Sequence, residues 1–256
     1  MEYQKIQTVF KRDENNIIIP NNFTKPEFEW LRHCKFRAEE KIDGTNIRVE
    51  IHFTEDGHML KQFKGRTDRA VIPPHLKEKL EYIFDDNALI RRVFNGDEPK
   101  HVTLYGEGYG MRIQNGGNYI KNDVDFMLFD AKVDNWWLNR ESLENIAEEL
   151  HISIVPVIGM MTLDEAIQAV DKGFKSTIAE NPEYEAEGLV LKTPDNLLMR
   201  NGERICLKVK TADFRKFKNR YGDLTYYIDA NGNLNISTSA KQAINEKYED
   251  KYKEDE

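Results

Sequence analysis

At 256 residues, with 39% hydrophobic and 11% aromatic content, the chain can bury one large core, or one core and a small appendage. It opens on no charged-then-apolar leader and has no apolar run near the ~20 residues that span a bilayer, so it reads as a soluble, cytoplasmic protein with no membrane partner. A formal net charge of -8 speaks against nucleic-acid binding by the chain as a whole, though a local basic groove outweighs the sum.

Residues 1–36 alternate short apolar stretches with loop signals at Asn21-Asn22 and Pro26, and Glu27 to Arg32 fits a short helix. The stretch Glu39-Glu40-Lys41-Ile42-Asp43-Gly44-Thr45-Asn46 sets a lysine among acids just before a strand, since Ile47, Val49, Ile51 and Phe53 alternate with polar residues. Gly44 supplies a tight turn or a close backbone approach. Glu55-Asp56-Gly57 reads as a hairpin turn into a return strand over Met59 to Phe63. The polar run Lys64-Gly65-Arg66-Thr67-Asp68-Arg69 follows. Pro73-Pro74 then opens a helix with Leu76, Leu80, Ile83 and Phe84 on one face.

His101 to Tyr105 fits a strand that delivers Glu107 between Gly106 and Gly108. The glycine spacing is wrong for a dinucleotide loop, and no phosphate-cradling loop of the Gly-Lys-Ser/Thr kind occurs anywhere. A carboxylate in that setting suits a ligand's hydroxyl groups, such as the pair on a ribose. Val124 to Val133 is apolar enough for a buried strand, with Phe126 and Phe129 expected to face opposite ways. Arg140 to Leu150 fits an amphipathic helix and Ile152 to Ile158 a strand. Thr162-x-x-Glu165 is a capping box for a helix reaching Phe174. Glu187-Gly188 precedes an apolar strand closed by Lys192, and a turn at Gly202-Glu203 leads to Arg204 to Lys210, where Lys208 and Lys210 share one face. A short basic helix begins at Thr211, a small hairpin spans Tyr226 to Ile236, and 240–256 reads as a charged helical tail.

Arg204, Lys208, Lys210, Arg215, Lys216, Lys218 and Arg220, interleaved with Phe214 and Phe217, form either a cationic helix face or a phosphate-tracking surface. Cys34 and Cys206 are too far apart for a disulfide framework or for a zinc site of ordinary spacing. The six histidines are scattered without a His-x-x-x-His pair, and each reads as structural or exposed rather than as a ligand. A lysine on a turn, a carboxylate between glycines, an aromatic strand, a second acid before a strand and a lysine pair together suit phosphate chemistry. The lysine must lose its proton to act as a nucleophile, which neighbouring cations and desolvation favour. Lys208, Lys210 and a divalent metal could supply that field, with Glu187 and Asp43 balanced by the metal.

In this order and spacing the chain resembles the covalent nucleotidyltransferases, which include ATP-dependent RNA and DNA ligases and messenger-RNA capping enzymes. Lys41-Ile42-Asp43-Gly44-Thr45-Asn46 is similar to their first motif and Arg66 to the arginine that follows. Glu107 and Phe129-Asp130 match the next two, and Glu187 to Lys192 and Lys208-Val209-Lys210 the last two. Thr45-Asn46, where DNA ligases and capping enzymes usually carry Arg, and the run Leu198 to Arg204 resemble the RNA ligases of the phage RNA ligase 2 type.

The resemblance implies an α+β nucleotidyltransferase domain, of the ATP-grasp-like ligase kind, with antiparallel sheets and flanking helices. It would span 1–210, and 211–256 would be a short basic and helical extension, shorter than the further domain that family ligases carry there. It implies ATP and Mg2+ (or Mn2+) as cofactors, and as partner an RNA with 5′-phosphate and 3′-hydroxyl ends. Lys41 would attack the α-phosphate, with Glu40 and Ile42 flanking the nucleotide. Glu107 would hold the ribose, Phe129 would stack on adenine, and Lys208 and Lys210 would contact phosphates. Arg66 would contact phosphate or the RNA end, Glu187 would act through the metal, and Asn46 would orient a metal-bound water. The alternatives are a DNA ligase or other polynucleotide adenylyltransferase, and a non-catalytic nucleotide- or nucleic-acid-binding relic of the fold.

Overall fold

The computed structural model describes residues 2–96, 98 and 100–237. It is an α+β protein whose chain divides into two compact units, each assembled from separated segments. The first unit holds the N-terminal segment through Lys5, then Ile42–Pro156 and Thr177–Tyr184; the second holds Ile6–Lys41, Val157–Ser176 and the chain from Glu185. No helix among the described residues is long and apolar enough to cross a membrane.

The first unit is built on a six-stranded sheet. Its strands run in the order Ser153–Ile154, Val124–Val133, Lys100–Gly110, Thr45–Phe53 and Met59–Gly65, with Trp136–Trp137 paired to Val124–Val133. All pairings are antiparallel except that of Ser153–Ile154. Ile47, Val49, Ile51 and Phe53 point to one face, as their two-residue period requires, and are buried. They share a core with Leu76 and Leu80 from the helix Pro74–Ile83, and with Leu143 and Ala147 from the helix Arg140–Glu149. The hairpin turn falls where expected, with Gly57 at φ +78° donating its N–H to Thr54.

Three expectations change here. The strand begun at His101 does not stop at Tyr105 but runs from Lys100 to Gly110, so Glu107 lies within a paired strand. The flanking glycines serve packing: a Cβ on Gly106 would sit 2.2 Å from the Phe126 ring, and one on Gly108 would sit 2.4 Å from Leu76. Ile152 to Ile158 is not one strand but two short ones, Ser153–Ile154 in the first unit and Val157–Met161 in the second. Pro156 between them has no N–H to offer a ladder. A helix over Asn87–Val93 was not anticipated; Asp86 caps it by accepting the N–H of Leu89, and Ile90 enters the core.

The second unit has a five-stranded sheet in the order Gln7–Thr8, Cys206–Lys210, Gly188–Lys192, Phe36–Glu40 and Val157–Met161. Only Gln7–Thr8 pairs in parallel. Phe36, Ala38, Leu189, Leu191, Leu207 and Val209 form the apolar face. Two helices cover it. Leu163–Lys172 contributes Leu163, Ala166, Ile167 and Val170, and Thr211–Tyr221 contributes Phe214 and Phe217. The capping box is present: Thr162 accepts the Glu165 N–H at 3.2 Å and Glu165 accepts the Thr162 N–H at 2.6 Å. That helix ends at Lys172, short of Phe174, because Gly173 turns away at φ +79°. Tyr226–Ile228 and Leu234–Ile236 pair as the expected small hairpin. The short helix near the N-terminus spans Pro26–Trp30. The helical tail expected over 240–256 lies outside the described residues.

Gly188 opens its strand at φ +143°, with room for a Cβ denied by the Val209 carbonyl oxygen only 2.0 Å away. Gly188→Ala is therefore expected to lower stability by more than about 2 kcal/mol, read as a drop in the urea midpoint at unchanged slope.

Candidate active site

The second unit brings together Lys41, Glu187, Lys208 and Lys210, which come from three separate stretches of the chain. Lys41 leaves the Phe36–Glu40 strand with its N–H still bonded to the Gly188 carbonyl at 3.0 Å. Its Nζ donates to one oxygen of Glu187, and Lys210 Nζ lies 2.8 Å from the other. The backbone around Glu187 is tied down as well. The Thr211 N–H donates to the Glu187 carbonyl and the Thr211 hydroxyl to that of Ala186, each at 3.0 Å. Lys208 stands two residues from Lys210 on the same face, opposite the buried Leu207 and Val209, as the strand period requires.

Burial pushes the Glu187 carboxyl up, but Lys41 and Lys210 outweigh it and hold the group below the ordinary carboxylate value. Burial, with the charges of Lys41 and Lys210 added, pushes the Lys208 ammonium below the ordinary lysine value. Two ammonium groups thus hold one carboxylate, and a third, Lys208, lies near enough to feel the charges of all three. The same sheet face carries a closed ion network in which Glu39 accepts from Arg37 at 2.9 Å and from Lys192 at 2.8 Å. Glu40 is buried and accepts a hydrogen bond of 2.5 Å from the Ser176 hydroxyl.

The first unit carries Ile42, Asn46, Arg66, Glu107 and Phe129. Ile42 is buried in a small cluster with Tyr109, Tyr119 and Met127. Asp43 accepts from Asn115 at 2.7 Å, and its N–H donates to the Tyr119 hydroxyl. Gly44 is needed for close approach, since a Cβ there would stand 2.4 Å from the Gly108 carbonyl and 2.8 Å from Glu107 Cγ. Asn46 and Glu107 are cross-strand partners. The Asn46 side-chain oxygen is buried without a hydrogen-bond partner, an atom that a metal-bound water would satisfy. Arg66 follows directly on the strand that pairs with the Asn46 strand, and is exposed.

Phe129 owes its place to a β-bulge. Tyr105 pairs with Asp130 and Gly106 with Leu128, so Phe129 is the extra residue in its strand. Phe126 lies in the large core and Phe129 in the small cluster, facing apart as expected. Four neighbouring strands thus each place one residue, in the order Phe129, Glu107, Asn46 and, one step past its strand, Arg66.

Two supports were not visible in the sequence reading. Tyr3 donates a 2.5 Å hydrogen bond to the buried Asp130, and its ring meets the Phe129 ring edge-on at 5.1 Å. Arg48 is wholly buried. Its Nε donates to the Gly65 carbonyl at 2.8 Å and its guanidinium reaches Asp68 at 2.6 Å, which fixes the backbone on both sides of Arg66. The only hint of Arg48 was an arginine in an otherwise half-apolar strand. The basic cluster, by contrast, is largely spent: Phe214 and Phe217 are core residues rather than a stacking surface, Arg204 is buried, Arg215 pairs with Glu185, and Lys218 with Asp171 at 2.9 Å.

The family model described as RNA ligase matches residues 35–210. The chain belongs to the RNA ligase family. Among solved structures, Naegleria gruberi RNA ligase with PPi aligns at a TM-score of 0.55 and 21% identity, over 86% of this chain and 59% of that one. A mutant of the same ligase with ATP and Mn aligns at 0.54 and 21%, over 76% and 54%. Another, with AMP and Mn, aligns at 0.55 and 19%, over 86% and 59%. These likenesses support the α+β fold, and the chain spans less than two thirds of the length of each. No curated protein matches the sequence.

Glu187, with its folded pKa below the unfolded value, adds stability above the ordinary carboxylate range and loses it as pH falls through the folded pKa. Urea unfolding from pH 7 to pH 3 is expected to show a shallower acid loss for Glu187→Gln than for the parent; equal slopes would refute the pairing. Tyr3→Phe should destabilise by about 1–3 kcal/mol by taking a donor from a buried carboxylate, seen as a lower urea midpoint.

Proposed function

We propose that this protein is an ATP-dependent RNA ligase, of the phage RNA ligase 2 type, acting in the cytoplasm on RNA with 5′-phosphate and 3′-hydroxyl ends. The carrying observation is the Glu187 carboxylate held between Lys41 and Lys210 with Lys208 beside them. Residues 1–210 are the adenylyltransferase part. Lys41 Nζ is the nucleophile. It forms a bond to the α-phosphorus of ATP as the bond to the departing pyrophosphate breaks. Lys41 then gives up AMP to the RNA 5′-phosphate, and the RNA 3′-hydroxyl finally displaces AMP and seals the strand.

Before ATP binds, Glu187 neutralises Lys41 and Lys210. An arriving triphosphate offers those lysines a stronger anion, and Lys41 must shed its proton to attack. Lys208 and Lys210 bind phosphate oxygens and stabilise the charge that develops on them. Glu107 takes the ribose hydroxyls, Phe129 stacks on adenine, Glu40 and Ile42 flank the nucleotide, and Arg66 meets phosphate or the RNA end. The residues also suit a divalent ion. Glu187 is an oxygen donor, and Asn46 has a buried side-chain oxygen lacking a partner that can hold a water on the ion. Bound Mg2+ or Mn2+ would supply Lewis-acid neutralisation of phosphate charge. The ATP, AMP, PPi and Mn named with the Naegleria ligase support this cofactor set. A non-catalytic relic is disfavoured because every matched motif position keeps its residue.

Intact-mass measurement of the denatured protein after incubation with ATP and magnesium tests the first step. One added AMP is expected with ATP, none with GTP, and none for Lys41→Ala of unchanged fold. An adduct on Lys41→Ala would reassign the nucleophile. No adduct on folded parent protein that was not already adenylylated would remove the mechanism.

A further inference from the structure

A second group of metal-ligating side chains lies on the first unit, at the other end of the Thr45–Phe53 strand from Asn46. Glu50 and His52 stand two residues apart on that strand and so share a face. His101 is paired directly opposite His52 on the adjacent antiparallel strand. One carboxylate oxygen and one nitrogen from each ring all fall within 4.8 Å of one another. At ~3.3 Å per residue, His52 is roughly 20 Å along the strand from Asn46, so the two histidines stand well apart from the Asn46 end of the sheet.

We propose that Glu50, His52 and His101 form a zinc site. Two imidazoles and one carboxylate are the donor set that zinc accepts with a fourth position left to water, whereas magnesium and calcium prefer oxygen donors throughout. Both histidines are partly exposed, which gives the ion an entry path. Their rings stack at 4.0 Å and 11°, an arrangement in which the nitrogen lone pairs run side by side. Capture turns the rings about χ2, a soft torsion, until one nitrogen of each converges on the ion. Thr103 Oγ1, 3.3 Å from His101 Nε2, lies within reach to steady that ring from outside.

Glu50 decides how the site fills. It is buried, and its two oxygens accept from Arg48 at 3.0 Å and Lys64 at 2.7 Å. Arg48 is sealed in, but the Lys64 side chain is 34% exposed on the edge strand and can swing into solvent. Zinc therefore enters by exchange with the cations held on the Glu50 carboxylate, of which Lys64 can leave for solvent while Arg48 keeps its hold. That exchange sets this site apart from chance binding at surface histidines, because removing a nearby lysine should strengthen it.

Equilibrium dialysis of the full chain with Zn2+, repeated with Co2+ to read its visible absorption, tests the site. One equivalent is expected on the parent. His52→Ala and His101→Ala should each weaken binding by about tenfold or more, and Lys64→Ala should tighten it several-fold, with apo proteins of parental circular dichroism. Absence of one saturable equivalent on the parent overturns the proposal. So does parental affinity in a folded histidine variant, or weaker binding in Lys64→Ala. Lys64→Ala alters a partly exposed side chain, so its arm decides the matter even if a histidine variant loses its fold.

Discussion

The second unit is organised by one constraint: a single carboxylate must face two ammonium groups that arrive on different strands. Lys41 and Lys210 lie far apart in sequence, and both reach Glu187 only because three strands pair in one register. Leu189 lies opposite Glu40 and Val209, which sets Lys41 and Lys210 at the same end of the ladder, one on either side of Gly188 and next to Glu187. A slip of one residue would turn every lysine toward the apolar core. The core residues Leu189, Leu191, Leu207 and Val209 therefore place the charges as well as stabilising the sheet. Lys208 adds a third ammonium without adding an acid. What that balance lacks is an anion, and a phosphate chain supplies several.

In the first unit the same economy of strands takes a different form. One sheet face is apolar core; the other is a buried polar layer of Arg48, Glu50, Thr103, Asp130 and Lys132. Burying such groups costs more than burying leucines unless each is paired, so the layer is a poor source of stability but a good source of position. Arg48 shows the use. One guanidinium satisfies Gly65, Asp68 and Glu50 together, and the exposed Arg66 is held on a backbone that cannot drift. Tyr3 does the equivalent for Phe129, tying the strand through Asp130 while its ring braces the aromatic edge.

The legible part of this protein was what depends on short-range pattern. The alternation around Ile47 to Phe53, the capping box at Thr162, the Gly57 turn and the shared face of Lys208 and Lys210 follow from strand and helix periods. The Lys41, Glu187 and Lys210 grouping came from the order of motifs, since no local rule joins positions so far apart. What stayed hidden was set by pairing across the sheet. Tyr3 is the partner of a residue 127 positions away. Phe129 is a bulge, which appears only when two strands are laid in register. The glycines beside Glu107 looked like room for a ligand and are room for Phe126 and Leu76. His52 and His101 are invisible to any spacing rule for metal sites and meet only because their strands are neighbours.

The acidic net charge misleads for a related reason. A sum over the chain treats every lysine alike, but the structure sorts them. Lys192, Lys218 and Arg215 are each matched to a carboxylate, as are Arg37 and Arg48. Around Glu187 the sorting stops, and the cations outnumber the acid. A polyanion responds to the potential at that patch far more than to distant surface acids, because screening confines exposed charges to about 8–10 Å at physiological salt while partly buried ones are screened less. A chain of net charge -8 can therefore present a strongly phosphate-seeking centre. The surplus acids cost that centre little, because among the carboxylates only Glu187 pairs with Lys41 and Lys210 there in the described ion pairs.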